Sequence, residues 1–209
     1  MLIDRAGWPF IVGALLAAVV LGFWLGRAWS VPLLVLAAFF LFFFRDPERR
    51  PPPGTNLVIS PADARIMVAG ATEWKGAPEG DWQVISMFLS PVDVHVNRTP
   101  VGGTVRRVEY HPGKFLPAYR SEAGELNEWT EVWFDRPGGP VVVRQIVGIL
   151  ARRIVCRLSA GQQVNAGDRF GVMKFGSRID LFLPRSATVL AKVGDKVVGG
   201  ETTLATLAE

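Results

Sequence analysis

The sequence has few of the side chains on which many enzymes and small disulfide-rich domains depend. Its 209 residues include one cysteine and two histidines. A single cysteine excludes an internal disulfide framework and any zinc site built from cysteines. Cys156 lies in the apolar run RRIVCRL, a predicted strand, which favours a buried structural thiol over a nucleophile. Chemistry that needs an imidazole has to use His95 or His111, and we predict no metal site.

Long blocks of like charge are also missing. The formal net charge is +4, and residues 1–50 supply half of it, with five arginines against three acidic residues. The remainder of the chain is only mildly basic, so the sequence excludes nucleic-acid binding as its main function.

Two runs near the start contain no charged side chain, residues 6–26 and 28–44. A helix needs roughly 20 apolar residues to cross a bilayer, and the first run meets this length while the second is short. Because Arg27 alone separates them, we predict a transmembrane helical hairpin, the anchor over 1–45. A cleaved signal peptide fits less well, since a second apolar run follows at once. Arginines before and after the hairpin predict a cell-membrane protein with its following domain on the cytoplasmic side.

The rest of the chain is predicted to be a linker and a mainly β domain. Residues 46–55 (DPERRPPPGT) hold three consecutive prolines, which favour an extended chain, and residues 56–209 consist of short β-rich runs and turns. A weak internal repeat relates 161–171 to 193–204, each with a Gly-Asp turn, a strand and another glycine. Paired turns of this kind occur in barrel-sandwich domains of the lipoyl and biotinyl-carrier type, so we predict that fold class.

Between the two repeats, the segment VMKFGSRIDLF (172–182) contains Gly176 and Ser177 among apolar strand residues. A Gly-Ser pair by itself indicates only a turn or a bulge. Met173 and Lys174 are similar to the Met-Lys turn that biotinyl domains modify, which leaves a carrier domain as an alternative. A second alternative is a noncatalytic membrane adaptor.

Four segments together resemble the phosphatidylserine decarboxylases, particularly their short form. The segments are FFRDP (43–47), SPADARI (60–66), FLSPVDVHVNRTP (88–100) with YHPGKF (110–115), and RFGVMKFGSRIDLFLP (169–184). Each segment alone is weak evidence, but they occur in the family's order and near its spacing. The resemblance covers nearly all of residues 40–209.

The resemblance implies a self-cleaving proenzyme. Ser177 attacks the carbonyl of Gly176, and elimination then separates a large β chain, 1–176, from a small α chain, 177–209, that begins with a pyruvoyl group. This covalent pyruvate cofactor forms a Schiff base with the substrate amine and accepts the electrons left when CO₂ departs. Serine needs a base, and the family pattern assigns His95 as that base and Asp63 as its orienting acid.

The chain departs from the longer bacterial members at one position. Those members carry a second histidine where this chain has Arg98, so either His95 serves both cleavage and decarboxylation or His111 takes one role. Arg65, Arg98 and Lys114 are candidate ligands of the substrate's phosphodiester or carboxylate, because an anion needs paired charge. Asp93 is interpreted as structural.

The resemblance also implies the partners. The substrate is a membrane phospholipid, and the two cleaved chains remain together as a heterodimer, with higher oligomers left open. Phosphatidylserine is the expected substrate, which is decarboxylated to phosphatidylethanolamine. Its ether-linked archaeal analogue, archaetidylserine, stays an alternative because its head group is the same.

Overall fold

The computed structural model describes residues 2–71, 77–149, 153–174 and 176–208. The chain divides into two compact units, residues 1–48 and residues 49–209. Each unit is described by itself below.

The first unit is built on two apolar helices, α1 (Trp8–Leu25) and α2 (Ser30–Phe43), which pack against each other. Pro9 stands in the first turn of α1, where its missing N–H costs no helical hydrogen bond. Ser30 Oγ donates a hydrogen bond of 2.8 Å to the carbonyl of Ala18 and so ties the two helices together. Short strands β1 (Leu2–Ile3) and β2 (Arg45–Asp46) pair antiparallel.

One helical segment, Arg5–Leu25, is long and apolar enough to cross a membrane. The second segment, Arg27–Phe43, is shorter, and its helix α2 spans only about 21 Å at 1.5 Å per residue. Length and composition therefore support membrane association through α1.

The second unit is mainly β, as the sequence predicts. Its strands are β3 (Leu57–Ile59), β4 (Ala64–Gly70), β5 (Trp82–Leu89), β6 (Val96–Arg98), β7 (Gly103–His111), β8 (Trp129–Asp135), β9 (Val141–Ile146), β10 (Ile154–Cys156), β11 (Gln163–Val164), β12 (Arg169–Met173), β13 (Ser177–Pro184), β14 (Thr188–Val189), β15 (Lys196–Val197) and β16 (Thr203–Thr206). One short helix, α3 (Ala123–Leu126), precedes β8.

Eight of these strands form one large antiparallel sheet in the order β11-β7-β8-β9-β13-β5-β4-β15. Two small sheets of three strands, β10-β12-β6 and β14-β16-β3, complete the unit. Strands from all three sheets contribute to one hydrophobic core, which includes Ile179 and Leu181 of β13.

The sheet order corrects the predicted barrel-sandwich class to a broader one. The described strands lie in separate open sheets and do not close into a barrel. The internal repeat nevertheless has a structural counterpart. Each repeat supplies an edge strand of the large sheet, β11 or β15, and then the middle strand of a small sheet, β12 or β16.

The two faces of the large sheet differ, because side chains alternate along each strand. One face carries Ser177, Ile179 and Leu181 of β13 and packs into the core. Arg178, Asp180 and Phe182 lie on the opposite face, which we call the second face.

Candidate functional site

The pair Gly176-Ser177 lies where β13 begins. Gly176 has φ of +74°, a left-handed conformation that glycine adopts without the steric cost of a Cβ atom. Ser177 is fully buried, and its Oγ has no hydrogen-bond partner among the described residues. A Cβ atom at Gly148 would lie 2.5 Å from the Gly176 carbonyl oxygen, so glycine at 148 allows that carbonyl its position. Phe175, between Lys174 and Gly176, lies outside the described residues.

His95 is buried beside this pair. Its Nε2 lies 3.4 Å from the backbone nitrogen of Gly176, and its Nδ1 lies 2.9 Å from the carbonyl oxygen of Asp93. A carbonyl oxygen only accepts hydrogen bonds, so Nδ1 carries the proton in this contact. Nε2 then carries the lone pair and accepts from the Gly176 N–H, one residue before Ser177, while Ser177 Oγ is not bonded to it.

Asp63 is not brought to His95. Its carboxylate accepts a hydrogen bond of 2.9 Å from Arg49 and one of 2.8 Å from the Gly199 N–H. The predicted contact between Asp63 and the imidazole is therefore missing within the described part of the chain. The carbonyl of Pro61 accepts from the N–H of Arg98, so the segment that carries Asp63 is bonded to β6 instead.

Asp93 takes the place expected of Asp63 as the partner of Nδ1, but through its main chain. The Asp93 carboxylate accepts a hydrogen bond of 2.8 Å from the Ser90 N–H, which closes a turn, while its carbonyl accepts from His95. The sequence cannot indicate that residue 93 orients the His95 imidazole, because a residue of any type at this position carries a main-chain carbonyl.

His111 lies away from Ser177. It stacks on Trp129 with ring centroids 3.7 Å apart, and its side chain is 46% exposed. His111, Trp129, Ile146 and Arg178 are successive cross-strand neighbours, so His111 lies on the second face. Three strand spacings of about 4.8 Å separate His111 from β13.

The three predicted cationic ligands fall in different places. Arg98 is buried, and its Nη1 donates to the Gly167 carbonyl at 3.1 Å. It lines a cavity of about 590 Å³ with Arg49 and Arg169. Lys114 is exposed, and its backbone bonds the loop around α3. Arg65 is exposed on β4, directly opposite Phe88 of β5.

A buried ion pair follows Ser177 on the second face. Arg178 Nε and Nη2 donate to the two carboxylate oxygens of Asp180 at 2.7 and 2.6 Å, and Arg178 Nη1 donates to the Arg120 carbonyl at 3.1 Å. Both side chains are essentially inaccessible to solvent. Through the hydrogen bond from Arg178 to the Arg120 carbonyl, this ion pair connects the start of β13 to the loop before α3. Charged residues at alternate positions of an apolar strand, as in SRIDLFLP, were a sequence signal for it.

An apolar pocket of about 380 Å³ reaches Gly176. Its wall is formed by three short segments and Gly176 itself, namely Phe88, Pro91, Pro117, Ala118, Tyr119, Gly148 and Ile149. The pocket thus joins the backbone at the predicted cleavage site to apolar surface.

Cys156 takes no part in this site. It pairs with Gly171 in a small sheet and is half-buried. Burial raises the pKa of the Cys156 thiol, so little thiolate forms near neutral pH. The described residues contain no group of three or more His, Cys, Asp or Glu side chains arranged to hold a metal ion.

Comparisons with known proteins point to one family. The family model for phosphatidylserine decarboxylase matches residues 36–205. A phosphatidylserine decarboxylase proenzyme of Symbiobacterium thermophilum is 44% identical over 209 residues, which cover 100% of this chain and 97% of the relative. The proenzyme of Granulibacter bethesdensis is 45% identical over 208 residues, 97% of this chain and 84% of the relative. That of Polynucleobacter asymbioticus is 41% identical over 208 residues, 99% and 95% of the two chains.

Proposed function

Because the chain belongs to the phosphatidylserine decarboxylase family, we propose that it is a proenzyme that cleaves itself and then decarboxylates phosphatidylserine to phosphatidylethanolamine and CO₂. The observation that carries this proposal is the buried imidazole of His95, whose Nε2 lies 3.4 Å from the nitrogen of Gly176, the residue joined to the buried Ser177. A base and a hydroxyl next to the bond to be broken are what self-cleavage requires.

Cleavage starts with Ser177 Oγ, which bonds to the Gly176 carbonyl carbon while His95 Nε2 takes the hydroxyl proton. The C–N bond breaks, and the Ser177 nitrogen takes the proton from His95 to become an amine, so the amide is converted to an ester. Removal of the Cα proton of residue 177 then breaks the Cβ–Oγ bond, and residues 1–176 leave as a carboxylate. The remaining enamine takes up water and releases ammonia, which leaves a pyruvoyl ketone on chain 177–209.

The surroundings of Ser177 fit such a group. The side chain is buried, its hydroxyl has no partner to lose among the described residues, and the following strand β13 is fixed between β5 and β9. Arg178 and Asp180 hold the same strand on its second face. When formed, the pyruvoyl group supplies an electrophilic carbonyl for the substrate amine and an acceptor for the electrons that CO₂ leaves behind.

His95 is the acid and base in this proposal. The Asp93 carbonyl keeps the proton on Nδ1, so Nε2 is available to accept the Ser177 proton and later to return one to the product. His111 has no part in this chemistry, since its strand β7 lies three strands away from β13. Asp63 acts as a positioning residue. Its carboxylate bonds Arg49 and Gly199, and the carbonyl of Pro61 in the same segment bonds Arg98 and so supports β6, the strand that follows His95.

The apolar pocket and two cations support a lipid as the substrate. Arg65 and Lys196 are directly opposite each other on β4 and β15, and both are exposed. Like charges in this arrangement repel, so an anion between them is favoured. Phe88, the other neighbour of Arg65, lines the pocket. We infer that Arg65 and Lys196 bind the phosphodiester, with the adjoining glycerol and chains toward the pocket.

The proposal includes a membrane anchor. The apolar segment Arg5–Leu25 holds the enzyme on the cell membrane, and the flanking arginines favour an orientation with the catalytic unit on the cytoplasmic side. Strands β11-β12 and β15-β16 are the paired repeats of a barrel-sandwich-like domain. The two cleaved chains stay together, because β13 of the small chain lies between two strands of the large chain.

Intact mass of the purified chain under denaturing conditions tests the proposal. We expect two chains divided after Gly176, the smaller of them beginning with a ketone and therefore blocked to sequencing. Incubation with phosphatidylserine vesicles then yields CO₂ and phosphatidylethanolamine. An unmodified single chain that stays intact in the presence of membranes would contradict self-cleavage, and a mass increase on Lys174 would indicate a carrier domain.

A further inference from the structure

Two sheets direct four buried polar side chains into one layer of the interior. Ser177 and Gln145 come from β13 and β9 of the large sheet, and His95 and Asn97 come from β6 and the residue just before it. All four are at most 1% exposed. Gln145 is directly opposite Ile179, two residues after Ser177 on the same face, so Gln145 and Ser177 are diagonal neighbours. His95 and Asn97 follow the two-residue alternation of an extended chain.

The two amides of this layer bond each other but leave half of their capacity unused. Gln145 Nε2 donates to Asn97 Oδ1 at 2.7 Å. Asn97 Nδ2 and Gln145 Oε1 are buried and have no partner among the described residues. Exchanging nitrogen and oxygen in both amides reverses the hydrogen bond and again leaves one donor and one acceptor unpaired. Buried polar atoms of this kind weaken the fold unless a water or a ligand pairs with them, so they mark a candidate binding position.

The packing against β12 limits how far the Gln145 amide can turn on that side. Gly171 faces Gln145, and a Cβ atom at position 171 would lie 2.9 Å from Gln145 Nε2 and 2.5 Å from the Val155 carbonyl oxygen. Asn97 and Gly171 are direct partners in the pairing of β6 with β12. Gln145 is a diagonal neighbour of Ser177, and Asn97 follows His95 by two residues, so the free donor and acceptor belong to the same buried layer as Ser177 and His95.

We propose that Asn97 and Gln145 bind the serine head group of the substrate, an inference that rests on the proposed function. The free amide N–H donates to the substrate carboxylate, and the free amide oxygen accepts from the substrate amine. The serine head group carries a carboxylate and an amine on its reacting Cα atom. The free amide donor matches the carboxylate, and the free amide acceptor matches the amine.

Neutral amides suit this task better than a cation. The carboxylate loses its charge as CO₂ leaves, so a buried arginine or lysine would stabilise the substrate more than the transition state. A neutral donor orients the carboxylate with a weaker preference for its charged form. The cations Arg178 and Arg144, which lie on the second face, are bonded to Asp180 and Glu131.

The test replaces both amides by apolar groups of similar size, in the full chain. Removing both partners of a buried hydrogen bond together is nearly neutral for stability, so the double variant Asn97→Leu/Gln145→Met is expected to fold and cleave like the wild type. Its kcat/KM for phosphatidylserine vesicles should fall about 10- to 100-fold, the effect of one or two lost hydrogen bonds to charged groups. Ser86→Ala is the matched control, since Ser86 Oγ is also buried without a described partner but lies on the second face.

A second readout separates binding from packing. With Asn97 Nδ2 as the free donor, Asn97→Leu should raise KM for phosphatidylserine and leave the inhibition constant of phosphatidylethanolamine unchanged, because the product has no carboxylate to accept the hydrogen bond. The isosteric Asn97→Asp variant should impair turnover at least as strongly through repulsion of the carboxylate.

Two results would overturn the inference. A cleaved double variant with wild-type kcat/KM would reduce the pair to a structural role, and so would a cleaved Asn97→Asp variant with wild-type turnover. Failure of the proposed function would give a different result. A wild-type chain that is cleaved after Gly176 but releases no CO₂ from phosphatidylserine would have another substrate, and this conclusion does not depend on the variants.

Discussion

The Nε2 atom of His95 lies 3.4 Å from the backbone nitrogen of Gly176, the residue that precedes Ser177 in the chain. The opposite ring nitrogen is held by the Asp93 carbonyl at 2.9 Å. A main-chain oxygen thus sets the tautomer that is usually set by a carboxylate in serine-histidine sites. The base is prepared for cleavage by backbone geometry close to it in sequence.

His95→Asn should give a folded chain that cleaves slowly or not at all. The asparagine amide nitrogen can still donate to the Asp93 carbonyl, but no base remains at the Nε2 position. General bases contribute about 10²- to 10⁴-fold to rate, so cleavage should slow by about 10²-fold or more. Mass spectrometry over time measures the uncleaved fraction, with His111→Asn as the control. A His95→Asn chain that cleaves at the wild-type rate would exclude His95 as the base.

Ser177→Ala should give an uncleaved, inactive chain, because alanine has no hydroxyl to attack the Gly176 carbonyl. Ser177 Oγ is buried without a described partner, so its removal should also raise the free energy of unfolding by about 1 kcal/mol.

Stability is compared between two uncleaved chains, His95→Asn alone and His95→Asn/Ser177→Ala, by denaturant unfolding. Decarboxylation by the Ser177→Ala chain would rule out the pyruvoyl mechanism, and a loss of stability in the double variant would mean that the hydroxyl has a partner.

Asp63→Asn should slow cleavage by less than His95→Asn does. The substitution breaks the ion pair between Asp63 and Arg49, in which both side chains are mostly shielded from water. The loss should lower the free energy of unfolding by about 1 kcal/mol. Its effect on cleavage is indirect, through the segment that supports β6. Asp63→Ala also loses the acceptor for the Gly199 N–H, so it should lower both the stability and the rate of cleavage further than Asp63→Asn does. Equal loss of cleavage in Asp63→Asn and His95→Asn, with unchanged stability, would instead favour a direct role for the carboxylate.

Arg65→Gln and Lys196→Gln should each raise KM for phosphatidylserine about fivefold, since a cation near an anionic lipid contributes about 1 kcal/mol. The kcat should stay nearly constant, because neither side chain lies on the Ser177 face. The effect should shrink at high salt, which screens exposed charges.

Arg185→Gln is the control for this pair, since it removes the same charge beyond the far end of β13, where Arg185 pairs with Asp81. If all three variants change KM equally, the effect is one of total charge and no phosphodiester site exists at Arg65 and Lys196.

The sequence alone was sufficient for the features that depend on local composition. Apolar runs predicted helices α1 and α2, and short β-rich runs separated by turns predicted a mainly β unit. The Gly-Asp repeats predicted a barrel-sandwich domain, which the open sheets do not confirm, although each repeat supplies an edge strand and a middle strand of different sheets. Ser177 and His95 were identified from their motifs, and they lie at the same place in the fold.

Only the tertiary structure decided how the site is assembled. Asp63 and His111 are as prominent in the sequence as His95, yet Asp63 bonds Arg49 and Gly199, and His111 lies on the other face of the sheet. Asn97 and Gln145 have no motif of their own, and they meet because β6 and β9 belong to two sheets that contribute to one core. Residue types and spacing report local backbone preferences, whereas the register of distant strands determines which side chains share an interior layer.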